Sequence, residues 1–406
     1  EEISRTFPAE IAGDLYTEDI PIYAESNLES VIQEKDVDTV YFSYSDVSHE
    51  HVMHLASRAL AAGVDFEILG PDQMMLSTDL PVIAVDAVRT GCGKSEVTTK
   101  ITNILQSNGK TPRVIREPMP YGDLSSSEVQ RFASRDDLEQ ADVTIEEREE
   151  YEKHIDNNHI VFAGIDYQTI LSSAESEGDI IVWDGGNNEL PFIEPTVHFV
   201  LADPLRASDT LSYHPGETNL RMADYVLINK ENSASQNNIN TVVSDVNEVN
   251  ESATILHADS IVEVDNPSQI RNNDVLVVED GPTVTHGNAN YGAGTIAAEK
   301  YGANKRIDPQ DAAVGSIQQV LAEYDQLDRI LPAMGYSSEQ IEHLSKTIAN
   351  VDCDVVIAGT PIDFQEIIDI DKQIVQADYT VSVHDRSLQD VLKSQADVLT
   401  LNNVSQ

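Results

Sequence analysis

Apolar residues recur along this chain in short uninterrupted runs, each followed by a stretch with helical spacing. From Val37 to Leu69 the text VDTVYFSYSDVSHEHVMHLASRALAAGVDFEIL predicts a strand, a polar turn, an amphipathic helix and a second strand. That is one β-α-β unit, with Ser48 as helix N-cap and Gly63 as helix stop. Upstream, Pro8, Gly13 and Pro21 punctuate short pieces that suit the rest of a Rossmann-like unit, assigned to residues 1–80. A second block opens with VIAV at Val82–Val85, a Gly-bearing turn, a helix through about Ser107 and the short strand TPRVIRE. Further strands read IIVWD, HFVLAD, YVLIN and ATILHAD, and Asp136 to Glu152 is an acidic helical stretch read as a solvated face. A third block, 271–406, starts with VLVVED, passes a second Gly-rich turn and reaches DVVIAGTP; after Arg386 the tail has helical periodicity. Strands alternating with helices predict an α/β protein: a nucleotide-binding domain over 81–270 with a mainly parallel sheet, flanked by an N-terminal Rossmann-like unit and a C-terminal α/β unit.

Composition narrows the classes. Of 406 residues, 71 are acidic and 25 are Lys or Arg, a formal charge of −46, which argues against binding nucleic acid phosphates. A hydrophobic content of 40% separates the chain from disordered acidic sequences. Self-repulsion on this scale implies a salt-loaded, haloarchaeal-type cytoplasm, where the Debye length shrinks to roughly 3 Å at 1 M. Only Cys92 and Cys353 are present, so a disulfide framework is excluded, and no apolar run approaches the length of a membrane span. The first residues show neither an initiator Met nor a signal pattern, which raises the expectation of a native start upstream of Glu1.

The chemistry concentrates at Thr90-Gly91-Cys92-Gly93-Lys94-Ser95-Glu96, a Gly-bearing turn between an apolar strand and a helix, where backbone N–H groups and a helix N-terminus can cradle phosphates. Lys94 would reach the terminal phosphates and Ser95 would ligate Mg²⁺; Val88 stands where the full spacing wants Gly. Arg89, five residues before Lys94, occupies the place of a second signature cation that reaches the nucleotide across a dimer. Asp184 ends IIVWD and precedes Gly185-Gly186-Asn187-Asn188, as does the acid that holds Mg²⁺ through water in such enzymes. Asn229-Lys230 is placed to read the base, with Asn232 where a guanine-reading Asp would stand, so ATP and GTP both stay open. Arg113, Arg116, Arg206, His214, Arg221 and His286 are the cations available to a phosphorylated polyanion; for each, a surface ion pair is the alternative. The second turn, Gly292-Ala293-Gly294, is either another anion cradle or a tight structural turn. His49, His51 and His54 do not make a metalloprotease pattern, because Met53 takes the second His position.

The segments ILGPDQMML, AVRTGCGKS, REPMPYGDL, VWDGGNNELPF, YHPGETNLRMAD, VEDGPTVTHG, YGAGTIAA and GTPIDF, spread over nearly the whole chain, resemble the family of cyclic 2,3-diphosphoglycerate synthetases, also described as predicted GTPases. The resemblance implies ATP-dependent closure of the intramolecular phosphoanhydride of 2,3-diphosphoglycerate, with release of ADP and phosphate. It implies Lys94 and Asp184 as the groups that stabilise phosphoryl transfer, Mg²⁺ on Ser95 and Asp184, and the six cations above as substrate contacts; Arg89 is added as a third catalytic candidate from its place before the loop. Two other functions fit the same motifs: a regulatory nucleotide switch, and an assembly protein whose nucleotide stabilises a homo-oligomer. The charge excess predicts that stability falls as salt is removed: the thermal midpoint should drop steadily as KCl is lowered from the molar range, and a salt-independent midpoint would contradict the high-salt reading.

Overall fold

The computed structural model describes residues 6–401, except 14, 118–123, 142, 187–188, 286–289, 334–337, 361–367, 369 and 385. Among the described residues the apolar runs assemble into one 13-stranded sheet. Its order is Lys305–Arg306, Asp274–Asp280, Val355–Gly359, Gln373–Val383, Thr254–Val264, Tyr225–Ile228, Val197–Ala202, Val82–Ala87, Ile180–Asp184, Pro112–Arg116, Ile160–Ala163 and Gln130–Phe132, with Leu331–Ala333 also pairing Asp274–Asp280. Pairing is parallel except at the far edge, Gln130–Phe132 on Ile160–Ala163, and in the middle, Thr254–Val264 on Gln373–Val383. The mixed α/β fold with a mainly parallel sheet is therefore the observed one.

Uninterrupted apolar strands are what a sheet covered on both faces requires. In Val82–Ala87, Ile83, Val85 and Ala87 face the helix Lys94–Ser107, whose Val97, Ile101 and Leu105 recur every four residues and are fully buried. Val82 and Ala84 face the opposite layer, against Trp183, Ile170, Leu171 and Ala174. Thr254–Val264 is long enough to serve two neighbours: Thr254 to His257 pair in parallel with Tyr225–Ile228, and Ala258 to Val264 pair antiparallel with Gln373–Val383. The C-terminal α/β unit is thus continuous with the sheet that holds Val82–Ala87.

The N-terminal β-α-β unit forms as its pattern predicts: Thr39–Phe42 and Asp65–Ile68 pair in parallel around the helix His49–Ala61, and the Ser48 hydroxyl accepts from the His51 N–H. It joins the sheet's loops through a short antiparallel pair, Val47–Ser48 with Tyr213–His214. After the second α/β unit the chain returns. Helix Leu388–Ser394 lays Leu388, Val391 and Leu392 into the same core as Val97 and Leu105, and Lys100 donates to the Val381 carbonyl at 2.7 Å. Among the described residues no helix is long and apolar enough to cross a membrane.

Leu392 is 1% exposed in that core. Truncation to alanine should cost about 3 kcal/mol, read as a lower urea midpoint at unchanged slope. A loss under about 1 kcal/mol would show that the tail is not part of the core.

Candidate functional site

The loop after Val82–Ala87 can turn into a helix in so few residues because Gly91 and Gly93 take φ of 81° and 99°. At Gly93 a side chain is excluded twice over, since a Cβ would lie 2.5 Å from Asn229 Nδ2. Three successive carbonyls of the loop are each engaged by a donor from a neighbouring strand end. Arg206 donates to Thr90 O at 2.6 Å, Lys230 to Gly91 O at 2.5 Å and Asn229 Nδ2 to Cys92 O at 2.9 Å. Asp203 orients both cations, 3.0 Å from Lys230 and 3.5 Å from Arg206. Oxygen atoms that would repel a phosphate are thereby occupied, beside a helix N-terminus where Lys94 is the first residue, 7% exposed. Asn232, at the base-reading position, is engaged elsewhere: its amide donates to Ser260 O and accepts from Ser260 N–H.

Asp184 is fully buried at the end of its strand, next to the loop. Its Oδ1 accepts from Thr98 Oγ1 at 2.8 Å, and its Oδ2 from Arg116 and from His154 Nε2 at 3.1 Å. The Arg116 guanidinium, followed by His154 and Thr98, holds the Asp184 carboxyl far below the carboxylate range against its burial. Arg116 also pairs with Glu150, whose carboxyl burial pushes up. Behind His154, Nδ1 meets His159 Nδ1 at 3.0 Å, and His159 Nε2 reaches Asn103 Oδ1 at 3.0 Å. With Asn103 Oδ1 accepting, His159 Nδ1 is an acceptor too, so both nitrogens of His154 act as donors. Burial and the neighbouring His154 push His159 down to about 3.

Glu150 and His154 come from helix Ile145–Asp156, whose first eight residues belong to the stretch Asp136 to Glu152 read from sequence as a solvated acidic face. The structure corrects that reading. One side of the helix is buried: Tyr151, 1% exposed, stacks on Phe132 at 4.8 Å. The overlooked signal is Tyr151, His154 and Ile155 at i, i+3 and i+4 among the acids.

The remaining expected residues divide. Arg116 and Arg206 stand at the site, and Glu96 lies close by, paired to Lys153 at 3.1 Å. Ser95 lies in the first turn of the loop helix. Arg113 is three residues from Arg116 along an extended strand and falls toward its amino end, near Glu177 at 3.8 Å. Arg221 makes a helical surface pair with Glu217. His214 sits in the seam with the N-terminal unit, its ring 5.6 Å from that of Phe42, and burial lowers its pKa. Arg89 is held in the same seam by Asp46 at 2.9 Å and Asp209 at 2.7 Å, 3.6 Å above the Tyr213 ring. Its guanidinium ties the N-terminal unit to the loop. His286, Asn187 and Asn188 lie outside the described residues. Among the described residues no group of His, Cys, Asp and Glu is arranged to hold a metal, and His54 faces only Glu50.

The second glycine-rich turn is filled by the chain itself. Glu279, fully buried, accepts from the N–H groups of Gly292, Gly294 and Thr295 at 3.0, 3.0 and 2.7 Å, at the start of helix Ala293–Tyr301. A Cβ at Gly292 or Gly359 would lie 2.4 Å from Glu279 Oε2, so glycine is required for the acid to fit. The cradle anticipated there exists, and its anion is internal. Burial outweighs the three N–H bonds and raises Glu279 from the ordinary 4.5 to about 7. A raised carboxyl contributes stability that is complete below about 4.5 and is lost as pH rises through about 7. Wild type should therefore lose stability relative to Glu279→Gln across that window, and parallel urea midpoints from pH 4.5 to 7.5 would contradict it.

No family model matches the chain. Among solved structures it is similar to LpxK from Aquifex aeolicus in complex with ATP, with a TM-score of 0.48 at 11% identity over 92% of this chain and 99% of that one. It is also similar to the MinC:MinD cell division complex of Aquifex aeolicus, with a TM-score of 0.25 at 12% identity over 43% of this chain and 79% of that one. A protein of Thermococcus kodakarensis named arginine synthetase ArcE is 51% identical over 393 residues, which cover 97% of this chain and 88% of the relative. With half of its residues shared over nearly its whole length, the chain belongs to the arginine synthetase ArcE family.

Proposed function

We propose that this protein is an ATP-dependent ligase that forms arginine, by phosphorylating the ureido oxygen of a precursor and letting an incoming amine nitrogen displace the phosphate. The observation that carries the reading is the 51% identity to a protein named arginine synthetase, which spans all three blocks of the chain. In the first step the precursor oxygen bonds to the γ-phosphorus and the bond to ADP breaks. In the second, nitrogen bonds to the ureido carbon, the carbon–oxygen bond breaks, and phosphate leaves with that oxygen.

The loop from Thr90 to Glu96 would hold the phosphates, with Lys94 on the transferred group and Arg206 nearby. Asn229 Oδ1 is buried without a donor beside the loop, an acceptor available to a base amino group. Mg²⁺ fits the donor set in one way only. Asp184 already accepts three hydrogen bonds, so it can accept from a water on the ion but has no room to ligate it beside a guanidinium. Ser95 would then be the direct protein ligand, and the ion would supply neutralisation of β- and γ-phosphate oxygens. Arg116, His154 and Thr98 keep Asp184 ionised and fixed in orientation.

Closure of 2,3-diphosphoglycerate, which the family resemblance implies, needs the same donor loop and a different acceptor. Of the cations expected to hold such an acceptor, Arg113 and Arg221 are paired with acids elsewhere, Glu177 and Glu217. Asp280 and Lys94 both act electrostatically on Glu150, and Glu189 acts on Arg116. Acids on that side favour a substrate that ends as a cation.

Incubated with ATP, Mg²⁺, a ureido amino acid and ammonium in molar KCl, wild type should release arginine and phosphate in equal amounts. Lys94→Ala should reduce the rate by roughly 10²-fold or more. A cyclic anhydride resonance in phosphorus NMR with 2,3-diphosphoglycerate, or ATP hydrolysis indifferent to any acceptor, would overturn the arginine reading in favour of the cyclase or the switch.

A further inference from the structure

The backbone ahead of the phosphate loop is fixed without any help from side-chain charge. Val88 N–H donates to Leu201 O at 2.9 Å, and a Cβ on Gly216 would lie 2.2 Å from Val88 O, so that segment has no room to shift. The N-terminal unit is held beside it by the pairing of Val47–Ser48 with Tyr213–His214 and by His49 N–H on Ser212 O at 3.0 Å. Backbone bonds thus already join the two units. Into the same seam the chain places two carboxylates, Asp46 and Asp209, with side chains 16% and 21% exposed. Arg89 meets both at once, Nε on Asp46 and Nη1 on Asp209, with its guanidinium laid over the Tyr213 ring.

Three residues before Asp209 stands Arg206, whose donation to Thr90 O occupies a loop oxygen that would otherwise repel a phosphate. It sits within the 3₁₀ turn Pro204–Asp209 but leaves helical backbone, with φ of −126° and ψ of 48°. Burial lowers the Arg206 pKa, and nearby groups that include Asp203, Asp209 and Asp46 outweigh burial and raise it. Both acids of the seam therefore act on this cation. Asp203 holds Arg206 at the loop from 3.5 Å, while Asp209 and Asp46 lie on the other side of it, toward the N-terminal unit. Arg206 is thus placed between one acid that keeps it on the loop and two that would draw it off.

We propose that Arg89 is a positioning residue for the nucleotide: by neutralising Asp46 and Asp209 it keeps Arg206 on Thr90 O. The inference rests on the reading of the loop as the ATP site and is independent of which product is formed. A guanidinium suits the task, because its planar fork reaches two carboxylates from separate segments in one fixed geometry. Without it, two half-buried carboxylates stay uncompensated, and Arg206 is a cation already within their field. Its shift toward them withdraws the donor from Thr90 O and takes positive charge away from the phosphates. Asp46 belongs to the N-terminal unit, so that unit bears on nucleotide affinity through charge as well as through packing.

The test is calorimetric titration of MgADP into wild type, Arg89→Ala, and a triple variant that adds Asp46→Asn and Asp209→Asn to Arg89→Ala, each with and without Arg206→Ala. Arg89→Ala should weaken MgADP roughly tenfold, as loss of a charged hydrogen bond does. The triple variant, which removes the rival acids together with their cation, should return to within about threefold of wild type. Arg206→Ala should cost roughly tenfold in wild type and in the triple variant, yet almost nothing in Arg89→Ala, where Arg206 has already left the loop. A tie that only holds the two units together gives a triple variant as weak as Arg89→Ala. That result, an Arg89→Ala that binds like wild type, or a triple variant without a cooperative thermal transition overturns the proposal. If Arg89→Ala alone does not fold, the triple variant decides by its affinity. Wild type that binds no MgADP would instead overturn the reading of the loop as the ATP site, and the positioning role with it.

Discussion

A carboxylate buried without compensation would take up a proton, and the site depends on preventing this at Asp184. Arg116 and His154 on one oxygen and Thr98 on the other keep it charged although its side chain is fully buried. Each partner arrives from a different element: the neighbouring strand, the acidic helix Ile145–Asp156 and the loop helix Lys94–Ser107. The same ion pairs therefore fix the angle of the loop helix to the sheet and hold the acidic helix against the core. Glu150 extends the network through Arg116, and His159 and Asn103 anchor His154 from behind.

The same economy recurs wherever this strongly acidic chain buries charge. Glu279 occupies a helix N-terminus with three N–H groups, Asp86 is met by His198 and Trp183, and Asp203 orients Lys230 and Arg206 under the loop. Arg89 is locked by Asp46 and Asp209 and so ties the N-terminal unit to the start of the loop at Thr90. Glu117 with Glu189 breaks the pattern, having carboxyl against carboxyl with a donor missing.

Much of this was legible in the residues. Runs such as IIVWD and VLVVED state buried parallel strands, and the Gly-bearing turn between VIAV and a helix, with Asp184 ending the neighbouring strand, reads as a place for phosphates. The period of two in Val375, Ala377, Tyr379, Val381 and Val383 also marks the strand that joins the two halves of the sheet, although its partner lies over a hundred residues earlier and no local pattern names it. The acidic helix misled because its charge count describes its outer face, whereas its role comes from the inner one. Arg113 and Arg116 look equivalent in sequence, yet three residues of extended strand separate their ends and faces. Arg89 could not be placed without the N-terminal unit that supplies Asp46.

The central claim is that phosphate leaves with an oxygen that came from the acceptor. A ureido amino acid carrying ¹⁸O in its ureido group, turned over with unlabelled ATP and ammonium, tests this directly. Phosphorus NMR of the released phosphate should then show one ¹⁸O per phosphate, in step with arginine formed. Unlabelled phosphate, or label retained in the amino acid while ATP is consumed, would contradict it.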